Sequence, residues 1–215
     1  GALTLPTGTT TLAGSFENTG GSFVANGGSL YFTAIDVGNT VEFGGSDANS
    51  VLFAGVGDWV FTDIDATTTD SFAVATGTVT LPSGTLTVGS DFIITDTIAH
   101  NGGTVKTIGT TGGNIVTLSG NDLTNLTVEA IGGDYTLTDS SAALLGSLTV
   151  SDGSFTVGTG TVSIGGSFDA FGGTYNNGSG TLLFNSLFFP FSSIVLTAII
   201  LIPSFRYFGC ILLQL

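Results

Sequence analysis

The chain has little charge, and basic residues are the scarcest of all. Only 8 % of its 215 residues are charged, and 16 acidic side chains stand against two basic ones, Lys106 and Arg206, which gives a net charge of −14. Nucleic acid and anionic lipid are both bound by clustered Lys and Arg. The composition therefore argues against nucleic acid as a partner and disfavours docking on an anionic membrane surface.

The sequence also has a single cysteine, Cys210, and a single histidine, His100. One cysteine forms no disulfide within the chain, and zinc-type clusters need several His or Cys ligands. A hydrolytic triad would need His100 beside a nucleophile and a carboxylate. We predict instead a polar turn residue, because the internal repeat described below puts Asn176 at the equivalent position. The sequence predicts no catalytic residue and no cofactor.

What the chain does have is glycine, threonine and valine. It contains 34 Gly, and its hydrophobic fraction of 42 % is enough for a dry core. Thr and Val favour strands and Gly marks tight turns, whereas the Lys- and Glu-rich faces of surface helices are missing. This is the composition of an all-β protein.

An internal repeat of 76 residues organises residues 1–186. Residues 57–92 match 133–168 without gaps, so that Trp59 falls on Tyr135 and Phe92 on Phe168. The opening LPTGTTTLAGSF (5–16) matches LPSGTLTVGSDF (81–92) and is the end of an earlier copy. The copies end near residues 34, 110 and 186, which makes 1–186 a β-repeat region.

Within each copy, short apolar alternations recur about every seven residues between Gly- and Ser-containing turns. Strands this short bury little surface alone, but they stack into a continuous core when wound as a solenoid. We therefore predict a repetitive β-solenoid (β-helix) of roughly 20–25 residues per coil, with about eight or nine coils over about 40 Å. The alternative is a series of tandem small β-sandwiches, one for each copy.

The segments GTVTLPSGTLTVGSDF and GSLTVSDGSFTVGTGTVSIGGSF resemble the Gly/Thr-rich repeats of large bacterial surface proteins. Those proteins are adhesin-like, filamentous-haemagglutinin-like or autotransporter-passenger-like β-solenoids. The resemblance covers residues 1–186 and implies secretion, a rod-like shaft at the cell surface, and binding to surfaces or to neighbouring copies. It carries no catalytic residues to this chain.

Three aspartates in DIDATTTD are the candidate metal ligands. Asp63, Asp65 and Asp70 could collect around calcium, which prefers oxygen ligands. Their spacing matches no EF-hand loop, and only Asp63 recurs in the next copy, as Asp139. Solvated turn aspartates are the alternative interpretation, and we predict no metal site.

Two further patterns suggest surface binding. Thr-x-Thr pairs raise the possibility of ice binding by stacked threonine ranks, although Thr is also a good outward strand residue; the pairs are Thr78/Thr80, Thr85/Thr87 and Thr136/Thr138. Trp59 and Tyr135 could form an aromatic platform for a sugar, but their equivalence in the repeat favours shared core packing.

These observations predict a non-enzymatic, extracellular structural or adhesive segment of a bacterial surface protein. Its expected partners are other copies of itself, or surface glycans and proteins. The opposing hypothesis is a polysaccharide-binding or polysaccharide-degrading β-helix protein, which would use paired acids and a basic residue in a groove. Lys106 is the only basic residue of the repeat region.

From residue 187 onward the composition becomes strongly apolar. The uncharged run 187–205 is close to the ~20 residues that span a bilayer, and Arg206 follows it. Residues 187–215 are therefore a membrane anchor, an end that is not native to the repeat, or a cap for the solenoid. Because neither end of 1–186 reads as a polar cap, we also expect the repeat region to associate end to end.

Overall fold

The computed structural model describes residues 1–185, and every regular element in that range is a β-strand. The copy end near 186 and the tail 187–215 lie outside the described residues. The strands are short because turns interrupt the chain every few residues. They are β1 (Ala2–Thr4), β2 (Thr9–Leu12), β3 (Phe16–Glu17), β4 (Ser22–Val24), β5 (Ser29–Phe32), β6 (Asn39–Glu42), β7 (Ser50–Phe53), β8 (Asp58–Phe61), β9 (Ala66–Thr68), β10 (Phe72–Val74), β11 (Thr78–Thr80), β12 (Thr85–Val88), β13 (Phe92–Ile94), β14 (Thr97–Ala99), β15 (Thr104–Thr107), β16 (Asn114–Thr117), β17 (Asp122–Leu123), β18 (Asn125–Leu137), β19 (Ser141–Leu144), β20 (Leu148–Val157), β21 (Thr161–Ile164), β22 (Phe168–Asp169), β23 (Thr174–Asn176) and β24 (Thr181–Phe184).

The strands wind into a three-sided solenoid of about nine coils. Face one carries β1, β4, β9, β12, β15, β22 and the first parts of β18 and β20. Face two carries β2, β5, β7, β10, β13, β16, β23 and the second parts of β18 and β20. Face three carries β3, β6, β8, β11 and β14, then β17, β19, β21 and β24. In coil three, Ala48 represents face one through a single bridge to Thr68.

All strand pairs are parallel and join neighbouring coils. Paired residues lie from 19 positions apart, as for Thr85 and Thr104, to 25 apart, as for Phe16 and Val41. Sandwiches would require antiparallel pairs within each copy. The predicted all-β solenoid, with its coil length and coil number, is confirmed, and the tandem-sandwich alternative is wrong.

The core runs along the inside of the described coils because residues alternate between inward and outward directions along each strand. Most inward side chains are apolar and almost fully buried, with Thr68 and Thr107 as buried polar exceptions. The N-terminal coils use aromatic rings, as in the stack of Phe32 on Phe53 with ring centroids 4.6 Å apart. The later coils are filled largely by Leu, Val and Ile, such as Leu148 and Val150.

Glycine is required where one corner lies directly on the next. Gly28 rests on the Pro6 carbonyl of the preceding coil, and Gly103 rests on the Pro82 carbonyl in the same manner. A Cβ at either glycine would overlap that oxygen. The two repeated Leu-Pro stretches therefore mark equivalent corners, each covered by a glycine of the next coil.

The sequence repeat and the coil are out of step. Phe16, Phe92 and Phe168 are equivalent in sequence, yet they lie in β3 on face three, β13 on face two and β22 on face one. One copy of the repeat thus advances the chain by three coils and two further faces. Each copy is turned by one face relative to the copy before it.

Breaks in the hydrogen-bond ladders move from face to face in the same way. On face one, the Phe23 amide donates to the Ser46 hydroxyl (3.1 Å), and on face three the Ile98 amide donates to the Asn121 side-chain oxygen (3.0 Å). These residues are equivalent at a spacing of 75, because the second copy is one residue shorter in this stretch. The repeat therefore specifies local contacts, whichever face it occupies.

Candidate functional site

Residues 1–185 enclose a filled interior. A depression beside Pro82, His100 and Leu123 leaves no space for a water molecule. The described part of the chain has no helix long and apolar enough to cross a membrane.

His100 lies in a corner, where it contacts backbone and hydroxyl groups. Its Nδ1 accepts a hydrogen bond from the Gly102 amide (3.2 Å) and lies 2.6 Å from the Thr124 hydroxyl. Asn176, its equivalent, accepts from the Gly178 amide through its side-chain oxygen (3.0 Å). Both side chains stabilise the turn that follows them.

The three aspartates proposed as calcium candidates each serve a different strand connection. Asp63 accepts from the Phe43 and Gly44 amides (2.5 and 2.9 Å), Asp65 from the Thr85 amide (2.6 Å), and Asp70 from the Ser50 hydroxyl (2.7 Å). Asp63 therefore supports the coil before it, while Asp65 supports the coil after it. Over residues 1–185, no group of three or more His, Cys, Asp and Glu side chains is placed to hold a metal ion.

The equivalent of Asp63 repeats its contacts on another face. Asp139 accepts from the Leu118 and Ser119 amides, both at 2.7 Å. Recurrence of Asp63 as Asp139 therefore reflects a turn-capping role, because the acceptor satisfies amides that the corner leaves unpaired. The sequence could not show this role, since the amides lie about one coil away.

Trp59 and Tyr135 are buried, each with 0 % of its surface exposed. The predicted core packing is confirmed, and the aromatic platform for a sugar is wrong. The Tyr135 hydroxyl donates to the Ser90 carbonyl and accepts from the Gly109 amide, both at 2.9 Å. Burial raises the pKa of Tyr135 above its usual 10.0, opposed by the hydrogen bond from Gly109.

The Thr-x-Thr pairs that suggested ice binding are spread around the solenoid. Thr78/Thr80 lie on face three, Thr85/Thr87 on face one, and Thr136/Thr138 on or beside face two. These pairs do not form one rank. A different set of threonines does align along a single face.

Face one carries this set, here called the threonine column. Parallel pairing places its members in register on successive coils, with outward side chains that are half-buried against their neighbours. The column consists of Thr67, Thr87, Lys106, Thr127 and Thr149. Thr85, Thr104 and Asn125 form a shorter parallel row two positions earlier.

Lys106 is the exception in the column. Its ammonium group lies 2.8 Å from a carboxylate oxygen of Glu129, with 31 % and 46 % of the two side chains exposed. The pair neutralises the positive charge locally, so the column presents hydroxyl and methyl groups with one ion pair in the middle. Such a surface suits a regular, hydroxyl-rich partner.

Comparison with known proteins gives no relative from which a role could be taken. No family model, no curated protein and no solved structure matches this chain.

Proposed function

We propose that this chain is a non-enzymatic, extracellular structural or adhesive segment of a bacterial surface protein, with residues 1–185 acting as a shaft. The observation that carries the proposal is the continuous apolar core of about nine parallel coils, built by a repeat that keeps the same local contacts as it turns. Such stacking extends indefinitely, because each coil contacts only its neighbours. A shaft that holds one part of a surface protein away from another needs this property, because its length is set by the number of coils.

The acidic surface supports the same role. Sixteen carboxylates with two basic residues keep lateral faces of neighbouring molecules apart, because like charges repel within a Debye length. Threonine, serine and asparagine supply the remaining polarity without needing ion pairs. A shaft exposed at high density on a cell surface benefits from this resistance to lateral sticking.

The test is a glycan array probed with the full chain, run beside a reducing-sugar assay on the same polysaccharides. We expect no soluble sugar to be released from any polymer, and limited proteolysis to leave residues 1–185 uncut. Release of soluble sugar would overturn the proposal in favour of the polysaccharide-degrading alternative. Rapid cleavage inside the coils would contradict a continuous shaft.

The threonine column favours polysaccharide binding as a second candidate function. If the threonine column is the contact surface, a Thr87→Lys/Thr127→Lys double variant loses binding to any polysaccharide that the unmodified chain binds. Thr97→Lys, at an exposed position of face three, is the matched control. Thermal hysteresis measured on the same three proteins tests the ice-binding alternative, for which the column is again the expected surface.

A further inference from the structure

Three Asn-Gly pairs occupy equivalent corners of the repeat, beginning at Asn26, Asn101 and Asn177. In this dipeptide the glycine nitrogen can attack the side-chain amide of the asparagine, because glycine has no side chain to obstruct the approach. All three glycines have a positive φ, between 56° and 78°. The three corners therefore carry the same reactive dipeptide in similar turns, and their surroundings can be compared.

The first two corners share their backbone and the contact of the asparagine. Asn26 and Asn101 both have a left-handed conformation, with φ of 53° and 50°. The Asn26 side-chain nitrogen donates to the Leu5 carbonyl (3.2 Å), and that of Asn101 donates to the Leu81 carbonyl (3.3 Å). Both asparagines are exposed, so water reaches them. Asn26 is therefore a matched reference for Asn101.

The two corners differ in the residue before the asparagine, which is Ala25 in the first and His100 in the second. The His100 Nδ1 accepts from the Gly102 amide (3.2 Å), the nitrogen that would attack the Asn101 side chain. Because a backbone amide can only donate, this Nδ1 is unprotonated and the ring proton lies on Nε2. The Thr124 hydroxyl of the following coil reaches the same nitrogen (2.6 Å). His100 thus lies within the distance at which a general base removes a proton.

The third corner shows the same turn contact without a base. The Asn176 side-chain oxygen takes the place of the His100 ring nitrogen and accepts from the Gly178 amide (3.0 Å). An amide oxygen accepts a hydrogen bond but does not take up the proton, whereas a neutral imidazole nitrogen does both. Stabilising the turn therefore does not require histidine.

We propose that Asn101 is a site of self-catalysed deamidation, with His100 as the general base. The Asn101 side chain first leaves the Leu81 carbonyl. The Gly102 nitrogen then forms a bond to the Asn101 Cγ while its proton passes to the His100 Nδ1. The Cγ–Nδ2 bond breaks, and the nitrogen leaves as ammonia with the proton from His100, which closes a succinimide ring. Water opens the ring at either carbonyl and leaves aspartate or isoaspartate at position 101.

Either product changes the corner. A carboxylate replaces the amide that donates to the Leu81 carbonyl, so one contact between coils is lost and one negative charge is added. Isoaspartate also adds a backbone carbon next to Gly103, which rests on the Pro82 carbonyl. The converted fraction would rise with the age of the protein. The proposal uses local contacts alone and is independent of the proposed function.

The experiment incubates the full 215-residue chain at neutral pH and follows the three Asn-Gly sites by peptide mapping with mass spectrometry. We expect Asn101 to convert about tenfold or more faster than Asn26, a conservative share of the effect of a positioned general base. Isoaspartate should be among the products, because direct hydrolysis of the side chain gives aspartate alone. Equal rates at the two sites, or aspartate without isoaspartate, would overturn the proposal.

Two variants assign the effect to the histidine. His100→Asn copies the third corner, so it keeps an acceptor for the Gly102 amide and should lower the rate at Asn101 to that at Asn26. Ala25→His is the reverse change and should raise the rate at Asn26. An unchanged rate at Asn101 in the His100→Asn variant would contradict the proposal.

Unfolding the chain in urea separates the folded contact from the effect of the neighbouring sequence. The rates at Asn26 and Asn101 should become similar, because the unfolded chain no longer holds the His100 ring against the Gly102 amide. If Asn101 kept its advantage in urea, the folded corner would not be its cause and the proposal would be wrong.

Discussion

Two equivalent regions of the repeat are stabilised in different ways. Where the first copy meets the second, near residue 34, Phe32, Phe53 and Trp59 pack together, with ring centroids 4.6 to 6.2 Å apart. One repeat later, where the second copy meets the third near residue 110, the equivalent positions hold Thr107, Val128 and Tyr135. The aromatic cluster relies on burial and ring contacts, whereas the second region uses the Tyr135 hydroxyl to join backbone groups of two earlier coils.

The residues around each aromatic side chain match it. Gly109 leaves room for the Tyr135 hydroxyl, because a Cβ on this glycine would lie 2.6 Å from that oxygen. The equivalent residue near Trp59 is Ala34. The Trp59 ring nitrogen, although buried, has no hydrogen-bond partner within residues 1–185. The two equivalent regions therefore use an apolar filling and a hydrogen-bonded filling, each with neighbouring residues that match it.

The largest difference should appear on truncating the central side chain of each region. Phe53→Ala removes a fully buried ring that contacts several others, and should lower the free energy of unfolding by about 3–5 kcal/mol. Val128→Ala removes only two side-chain carbon atoms and should lower the free energy of unfolding by about 1–2 kcal/mol. Urea unfolding of the full chain measures both. Equal losses would contradict the distinction between the two fillings.

A smaller effect is expected on exchanging the small residues. Gly109→Ala places a methyl group against the Tyr135 hydroxyl and should cost about 1–3 kcal/mol through overpacking and loss of the hydrogen bonds. Ala34→Gly, the matched control, should cost about 0.5–1 kcal/mol through backbone entropy. Combining Gly109→Ala with Tyr135→Phe should cost less than the sum of the two single changes. An additive result would show that the clash is elsewhere.

Removing the hydroxyl alone should cost about 1–2 kcal/mol, because Tyr135→Phe leaves the Gly109 amide buried without an acceptor. The same hydroxyl affects stability at alkaline pH. Burial raises the pKa of Tyr135 above 10.0 and that of Tyr175 to about 12, so the folded chain holds both protons more tightly than the unfolded chain does. This contribution is complete below pH 10 and is lost as the pH rises towards 12.

The alkaline effect is measured as the free energy of unfolding between pH 9 and pH 12, a range chosen because the two tyrosine pKa values lie from above 10.0 to about 12. The proteins compared are the unmodified chain and the single variants Tyr135→Phe and Tyr175→Phe. Each variant should lose less stability over this interval than the unmodified chain. A variant with an unchanged slope would show that its tyrosine does not titrate differently in the folded state.

The smallest effect is expected at the surface. Lys106→Thr removes the ion pair with Glu129 and extends the threonine column, and it should change stability by less than about 1 kcal/mol, as for other exposed pairs. Salt should weaken the stability of the unmodified chain slightly more than that of the variant. Thermal unfolding at low and high salt makes the comparison. A loss comparable to that of Tyr135→Phe would assign Lys106 a structural role that its exposure does not explain.

The sequence was sufficient for the solenoid because the alternation of apolar residues is local and repeats in every strand. The burial of Trp59 and Tyr135 also followed from their equivalence. The rotation of each copy by one face did not follow from the sequence. It depends on the number of strands in each coil, which is three, and the corners determine that number. The contacts of Asp63 were equally hidden, since the amides that it caps belong to another coil.

Because one copy of the repeat is not a whole number of coils, each copy is rotated about the solenoid axis relative to the copy before it. A residue that points outward once in every copy points in three directions in turn, and returns to its first direction after three copies. Equivalent residues of successive copies therefore face different sides of the solenoid, at different heights along its axis. Adding or removing one copy would leave each coil-to-coil contact intact, yet would rotate everything beyond it by a third of a turn.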